Sequence, residues 1–431
     1  MKKRVSLVLF VILTLSISIL AKPVTLDVWQ VGMGNEAIDI LQAIIEEEFT
    51  AKTGIRVRMQ VYNWADMQNK VLLAAASGDT PDVVSGAPDH MVEYGIRDAV
   101  LDLKAAFGEE KVRAIERNLY PGTTSSLNFR GRVFGLVETC GVISGFYRND
   151  ILTELGLGTP KTWDDLRSMI PKLQAREMNV GWNYGGIPSS PKYGAYVLIK
   201  QNGGGWVDGE SFKSLLTLPG SINGFTQYCE LFTKYKMPQD GDPYTLFKAG
   251  EWPIVFNINV FHATLTMAAP EIAGKWSLGL IPGTVQPDGT TSHESFMGGS
   301  TLAIFNNSKH KEEAFRYLEW YLSDETQIRV TDAIMSTIPG TMWVSGNMAA
   351  ASAMKMPEKD REVLFDQLSQ SKTFSYFPGS MAIQRELDFA VMSVLQLGTD
   401  PKDALANAAK TTENELDRKQ REYQRYLDKM I

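Results

Sequence analysis

Residues 24–85 constrain the fold more than any other stretch of this 431-residue chain. Val24, Leu26 and Val28 alternate with Thr25, Asp27 and Trp29, the period of two expected of a strand. Ala37, Ile38, Leu41, Ile44, Ile45 and Phe49 then recur at helical spacing behind Asn35, a candidate N-cap. Gly54 supplies the stop, because glycine tolerates the left-handed cap. Ile55, Val57, Met59 and Val61 alternate as a second strand, and Asn63 can cap a helix over residues 64–76. Asp82-Val83-Val84-Ser85 reads as a short apolar strand at the buried centre of a parallel sheet. Strands alternating with helices in this order predict a doubly wound α/β lobe.

The pattern restarts after Tyr147 with helices and Gly-rich loops. Residues 252–260 and 276–281 read as strands, and residues 301–305 as a third. An amphipathic helix follows, with Ala314, Phe315, Leu318, Tyr321 and Leu322 on one face. The last long helix starts at Asp400-Pro401, where proline fits the first turn. It becomes highly charged from Glu413 onward, which predicts a solvated far end.

The first residues argue for export. Lys2-Lys3-Arg4, an almost wholly apolar run over residues 5–20, and Ala21 form a signal peptide (1–21) with a cut before Lys22. Ile19 is bulkier than the small residue favoured at minus three, which could shift the cut by a residue or two. An uncleaved anchor needs ~20 apolar residues, more than this run offers. There is no lipobox cysteine near the cut, so the protein is expected to be free, periplasmic or secreted. The remaining ~410 residues exceed one usual core and suggest two domains. Loss of Lys2, Lys3 and Arg4 takes the net charge from −7 to −10. That balance disfavours nucleic acid, which needs clustered Lys and Arg. Cys140 and Cys229 are the only cysteines; a disulfide is permitted after export, and two buried free thiols serve equally.

Catalytic constellations are sparse. The four histidines, His90, His262, His293 and His310, sit in no nucleophile elbow or metal-ligand spacing. Asp82, Asp89 and Glu138 could be read as carboxylates for glycoside hydrolysis, but Asp82 at a strand start is explained by fold alone. Gly203-Gly204-Gly205 lacks the Lys and Ser/Thr of a phosphate loop. No catalytic residue, metal or cofactor is expected.

Three markers do stand out in order: Gly78-Asp79-Thr80-Pro81-Asp82-Val83-Val84, then Tyr147-Arg148-Asn149-Asp150 leading to Thr162-Trp163-Asp164-Asp165-Leu166, then Phe247-Lys248-Ala249-Gly250. Together they resemble the carbohydrate-type (family 1) extracellular solute-binding proteins of bacterial ATP-binding cassette importers, similar to maltose/maltodextrin-binding proteins. The resemblance implies a two-lobe periplasmic-binding-protein type II fold: α/β, mixed sheets flanked by helices, and a central ligand cleft with hinge crossings. It implies crossings over residues 138–142, 295–300 and 339–345. The lobes would be 22–140 plus 300–343, and 141–299 plus 344–431. Gly141, Gly298, Gly299 and Gly340 could absorb torsion changes there. The implied partners are a small-molecule carbohydrate and a membrane permease met by a monomer. The alternatives are a glycan-binding surface or sensory protein without transport, or a glycan-acting enzyme.

Sugar sites combine flat aromatic rings, which take apolar C–H faces, with carboxylates and amides for the hydroxyls. In α/β lobes ligands bind beyond the carboxyl ends of strands. Trp29-Gln30, Asn63-Trp64 and Asp89-His90 meet that condition. By resemblance, Asp89 falls where relatives place a hydroxyl-binding carboxylate. Trp182, Tyr184, Tyr193, Tyr196 and Trp206 lie where similar proteins place stacking aromatics. Asn257, Asn259 and Phe261 follow the third marker; Tyr376 and Phe377 occupy the late aromatic segment; Trp343 lies in the third crossing. Relatives commonly carry a polar ligand residue where this chain has Gly141, for which Glu138 is the possible substitute. Trp163, Trp276 and Trp320 read as packing residues.

Overall fold

A computed structural model describes residues 23–121, 123, 127–183, 186, 190–208 and 211–428. One eight-stranded mixed sheet organises it. Its strands, in chain order, are β1 (Thr25–Val31), β2 (Arg56–Tyr62), β3 (Val83–Gly86), β4 (Leu136–Arg148), β5 (Val180–Trp182), β6 (Ile254–Ile258), β7 (Trp276–Gly279) and β8 (Met297–Ile304). The spatial order is β2-β1-β3-β8-β4-β6-β5, with β7 also on β4. β1 runs parallel to β2 and β3, as the opening β-α-β pattern requires. β8 closes that half antiparallel to β3.

β4 serves both halves. Its first seven residues pair with β8, Met297 opposite Val142 and Leu302 opposite Leu136. From Ile143 onward it pairs instead with β6, and from Gly145 with β7. Such a strand needs both faces covered, and twelve of its thirteen residues are buried. The sheet therefore divides along β4 into two lobes.

The helices explain the sequence markers. α1 (Asn35–Ile44) buries Ala37, Leu41 and Ile44; its N-cap is Gly34, one residue before the expected Asn35. The helix runs on through a π-turn, Ile45–Thr50, and stops at Gly54 in the left-handed conformation. In α2 (Trp64–Ser77), Asn63 caps by accepting from the Asp66 amide, and α3 (Pro88–Ile96) begins directly behind β3. Thr162 and Asp165 form a capping box on α4 (Trp163–Gln174), which accounts for the Thr-Trp-Asp-Asp marker. α5 (Pro191–Gln201), α6 (Pro219–Thr233), α7 (Lys311–Tyr321), α8 (Ser380–Leu397) and α9 (Pro401–Leu427) complete the elements used below. Asp400 caps α9.

Two expectations change or resolve. The far end of α9 is not wholly solvated: Leu416, Lys419 and Tyr423, spaced three and four apart, are buried. Most of its other charges are exposed. Cys140 and Cys229 are both free and buried. No described helix is long and apolar enough to cross a membrane.

Candidate ligand cleft

Three chain segments lie side by side where the lobes join. Cys140 of β4 stands opposite Gly299 of β8, Thr139 bridges Ser345, and the Cys140 amide donates to the Val344 carbonyl at 2.8 Å. Gly299 is required by this contact: its φ is +155°, and an added Cβ would lie 1.8 Å from the Thr139 carbonyl oxygen.

Against these segments lies a cavity of about 500 Å³, the size of a small-molecule site. Both lobes wall it. From the residue after β1 and from the N-terminal ends of α2 and α3 come Gly32, Trp64, Ala87 and Pro88; from the other lobe come Tyr193, Phe296, Phe374, Tyr376 and Gln384. Thr139, Cys140, Gly141, Gly298, Gly299, Met342, Trp343 and Val344 form the back, and Ile258 and Val260 close one side.

Six aromatic rings thus face one space: Trp64, Tyr193, Phe296, Trp343, Phe374 and Tyr376. Trp64 is the exposed platform, 45% accessible. Gly32 at φ +72° lets the Trp64 indole approach, since a Cβ there would sit 3.0 Å from Nε1. Tyr193 is held by Phe296 at 4.4 Å between centroids. Trp343 is 7% exposed, and its Nε1 is buried with no hydrogen-bond partner among the described residues. A buried N–H left unsatisfied costs about 1–3 kcal/mol, so this donor calls for an acceptor. None of the described lining residues is charged. Burial pushes the Cys140 thiol up to about 12, so it stays protonated there.

The sequence candidates divide between wall and support. Trp64, Tyr193, Gly298, Gly299, Trp343 and Tyr376 line the cavity. Gln30 and Glu138 lie beneath it. The fully buried Glu138 carboxylate accepts from the Gln30 amide at 2.6 and 2.7 Å, from Ser85 at 3.1 Å, Ser300 at 2.9 Å and Tyr321 at 2.8 Å. Burial raises its pKa, and these donors oppose the rise. Glu138 therefore knits β1, β3, β4, β8 and α7 together instead of substituting for Gly141 on the wall. Trp29 packs edge-on to Tyr62, 5.3 Å away, and Asn63 is occupied as the cap of α2. His90 lies against Tyr94, ring centroids 5.8 Å apart.

In the other lobe, Trp182 stacks on Trp163 at 5.4 Å within the core. Tyr196 and Trp206 stand behind Phe374, at 4.2 and 4.6 Å, and so support a wall residue. Asn259 accepts from the Val142 amide at 2.8 Å and donates to Met342 Sδ at 3.2 Å, fastening two back-wall segments. Asn257 accepts from the Ile258 amide; Phe261 packs on Phe146, and Phe377 is buried in the core. Tyr184 and the side chain of Asp89 lie outside the described residues; Asp89 follows the wall residue Pro88 in α3. Phe296, Phe374 and Gln384 escaped sequence reasoning. Phe374 stands two residues before Tyr376, an alternation that an extended segment presents to one side.

The pattern of bacterial extracellular solute-binding proteins matches residues 34–328. The chain is 26% identical to the diacetylchitobiose-binding protein DasA of Streptomyces coelicolor over 319 residues, 70% of each chain. The fold is similar to that of the sugar-binding protein MalE from Xanthomonas citri, with a TM-score of 0.78 at 17% identity, over 93% of this chain and 99% of that one. It is also similar to the cyclic α-maltosyl-1,6-maltose-binding protein of Arthrobacter globiformis, with a TM-score of 0.76 at 16% identity, over 91% and 99%.

Proposed function

Since the chain belongs to the bacterial extracellular solute-binding proteins, we propose that it captures an uncharged oligosaccharide between its lobes and passes it to the permease of an ATP-binding cassette importer. The observation that carries the reading is the cavity wall: six aromatic rings, an unpartnered indole N–H and no charged side chain among the described residues. Rings of this kind take the apolar faces of sugars, and Trp343 Nε1 suits a hydroxyl oxygen. An amino acid or a phosphate ester would bring charge into a wall that offers none. The sugar-binding relatives support the same class of cargo.

In this reading the lobes are 22–140 plus 300–343 and 141–299 plus 344–431, and the three adjacent segments near Glu138, Gly299 and Val344 are the hinge. The open form binds, rotation about the hinge closes the cleft, and the sugar leaves unchanged, with no turnover. Residues 1–21 direct export and are removed, leaving a free monomer outside the cytoplasm.

The test is calorimetric titration of wild type, Trp64→Ala and Trp343→Phe with the oligosaccharide that binds. Loss of the platform should weaken binding about tenfold or more, and loss of the indole N–H about fivefold, roughly 1 kcal/mol. Ligand-free melting temperatures should not change for Trp64→Ala. Unaltered affinity in both variants would remove the sugar from this cavity.

A further inference from the structure

The final helix reaches across the molecule. Most of α9 packs along α8 and α6 in the second lobe, with Leu405 and Leu416 buried. Its last turns instead meet α3, the helix that follows β3 in the first lobe. Tyr423, 3% exposed, donates its hydroxyl to Glu93 Oε1 at 3.1 Å and accepts from Arg97 Nη2. Arg97 Nη2 in turn stands 2.7 Å from Glu93 Oε1. The Arg97 guanidinium lies over the Tyr423 ring at 5.3 Å from one helix, and Lys419 Nζ at 5.1 Å from the other. Three residues on, Tyr426 borders a hollow walled by first-lobe residues including Ile96, Asp98 and Arg132. None of Glu93, Arg97 and Tyr423 lines the ligand cavity.

Glu93 and Arg97 are four apart on one helix, and such a pair alone contributes only a few tenths of a kcal/mol. The third member changes its meaning. Tyr423 belongs to the other lobe, some 330 residues along the chain, so the cluster exists only while the lobes are in this relative position. A contact made in one of two conformations shifts the population toward that conformation.

We infer that Tyr423, with Glu93 and Arg97, forms a latch between the lobes that sets ligand affinity from outside the cavity. The inference rests on the hinge-capture reading and names positioning residues for it. The latch stabilises the closed form and slows ligand release.

Cys140 provides a readout that needs no ligand, because it lines the cavity and is only 6% exposed in this form. In ligand-free protein, iodoacetamide alkylation of Cys140, followed by mass spectrometry, should be about three- to tenfold faster in Tyr423→Phe and Glu93→Gln, as the open fraction rises. Cys229, fully buried in α6, should stay unmodified and so report that neither variant unfolds. With a bound oligosaccharide the same variants should release it faster by a similar factor, with the association rate unchanged. The double variant should do no more than either single one, since one network is broken once. Equal alkylation rates in wild type and variants would overturn the latch whatever the cargo proves to be. So would a fall in ligand-free melting temperature with no change in alkylation, the sign of a contact within one rigid body. If no sugar binds while alkylation still accelerates, the cargo assignment fails and the latch stands.

Discussion

Glu138 shows how one residue can tie together the elements behind a cavity without lining it. It is wholly buried, and its carboxylate satisfies an amide and three hydroxyls that arrive from four separate elements. Glu138→Ala would strand those donors, and should cost about 3 kcal/mol in urea unfolding. The cost should depend on pH in a definite direction. Burial holds the Glu138 pKa above its ordinary 4.5, so its contribution is complete below that value and is lost as pH rises through the raised one. The gap between wild type and Glu138→Ala should therefore be wider near ~pH 4 than near ~pH 7. From sequence, an acidic residue at a crossing invites a ligand role. Only its partners, which lie 53–183 residues away, reveal the structural one.

At the scale of elements, the back of the cleft depends on three extended segments meeting without side-chain bulk between two of them. Gly299→Ala would force a Cβ into the Thr139 carbonyl at positive φ, and should cost more than about 2 kcal/mol by thermal unfolding. Gly298→Ala is the control, since its Cβ would meet only the Phe296 ring, at 3.3 Å; it should cost under about 1 kcal/mol. The elements themselves were largely readable. Alternation and a cap located β1, β2 and α2, and an apolar run located β3, because strands and capped helices leave local signals. The boundary errors were also local: the cap of α1 fell on Gly34, and β8 starts four residues before the stretch expected, where small residues hide a strand. The buried end of α9 was missed because a stripe of Leu416, Lys419 and Tyr423 counts as polar when read by charge alone.

For the whole molecule, the site was harder to read than the fold, and for a physical reason. An aromatic residue has the same composition whether it fills a core or faces a cavity. Trp182 and Trp64 were equal candidates, yet one stacks on Trp163 and the other stands 45% exposed at the cleft. What separates them is where each falls among segments far apart in the chain, which no local signal carries. If capture works by closure, small-angle scattering should show a smaller radius of gyration with saturating ligand than without, and an unchanged radius would argue for a rigid site.

The most direct test of the central claim is a melting-temperature screen of residues 22–431 against uncharged oligosaccharides, with amino acids and phosphate esters as comparison. A ligand at 1,000 times its dissociation constant stabilises by about 4 kcal/mol, enough to raise the melting temperature by several degrees. The account predicts such a rise with one family of neutral oligosaccharides, and recovery of the sugar intact. A rise with charged solutes alone, or a sugar recovered in pieces, would contradict it.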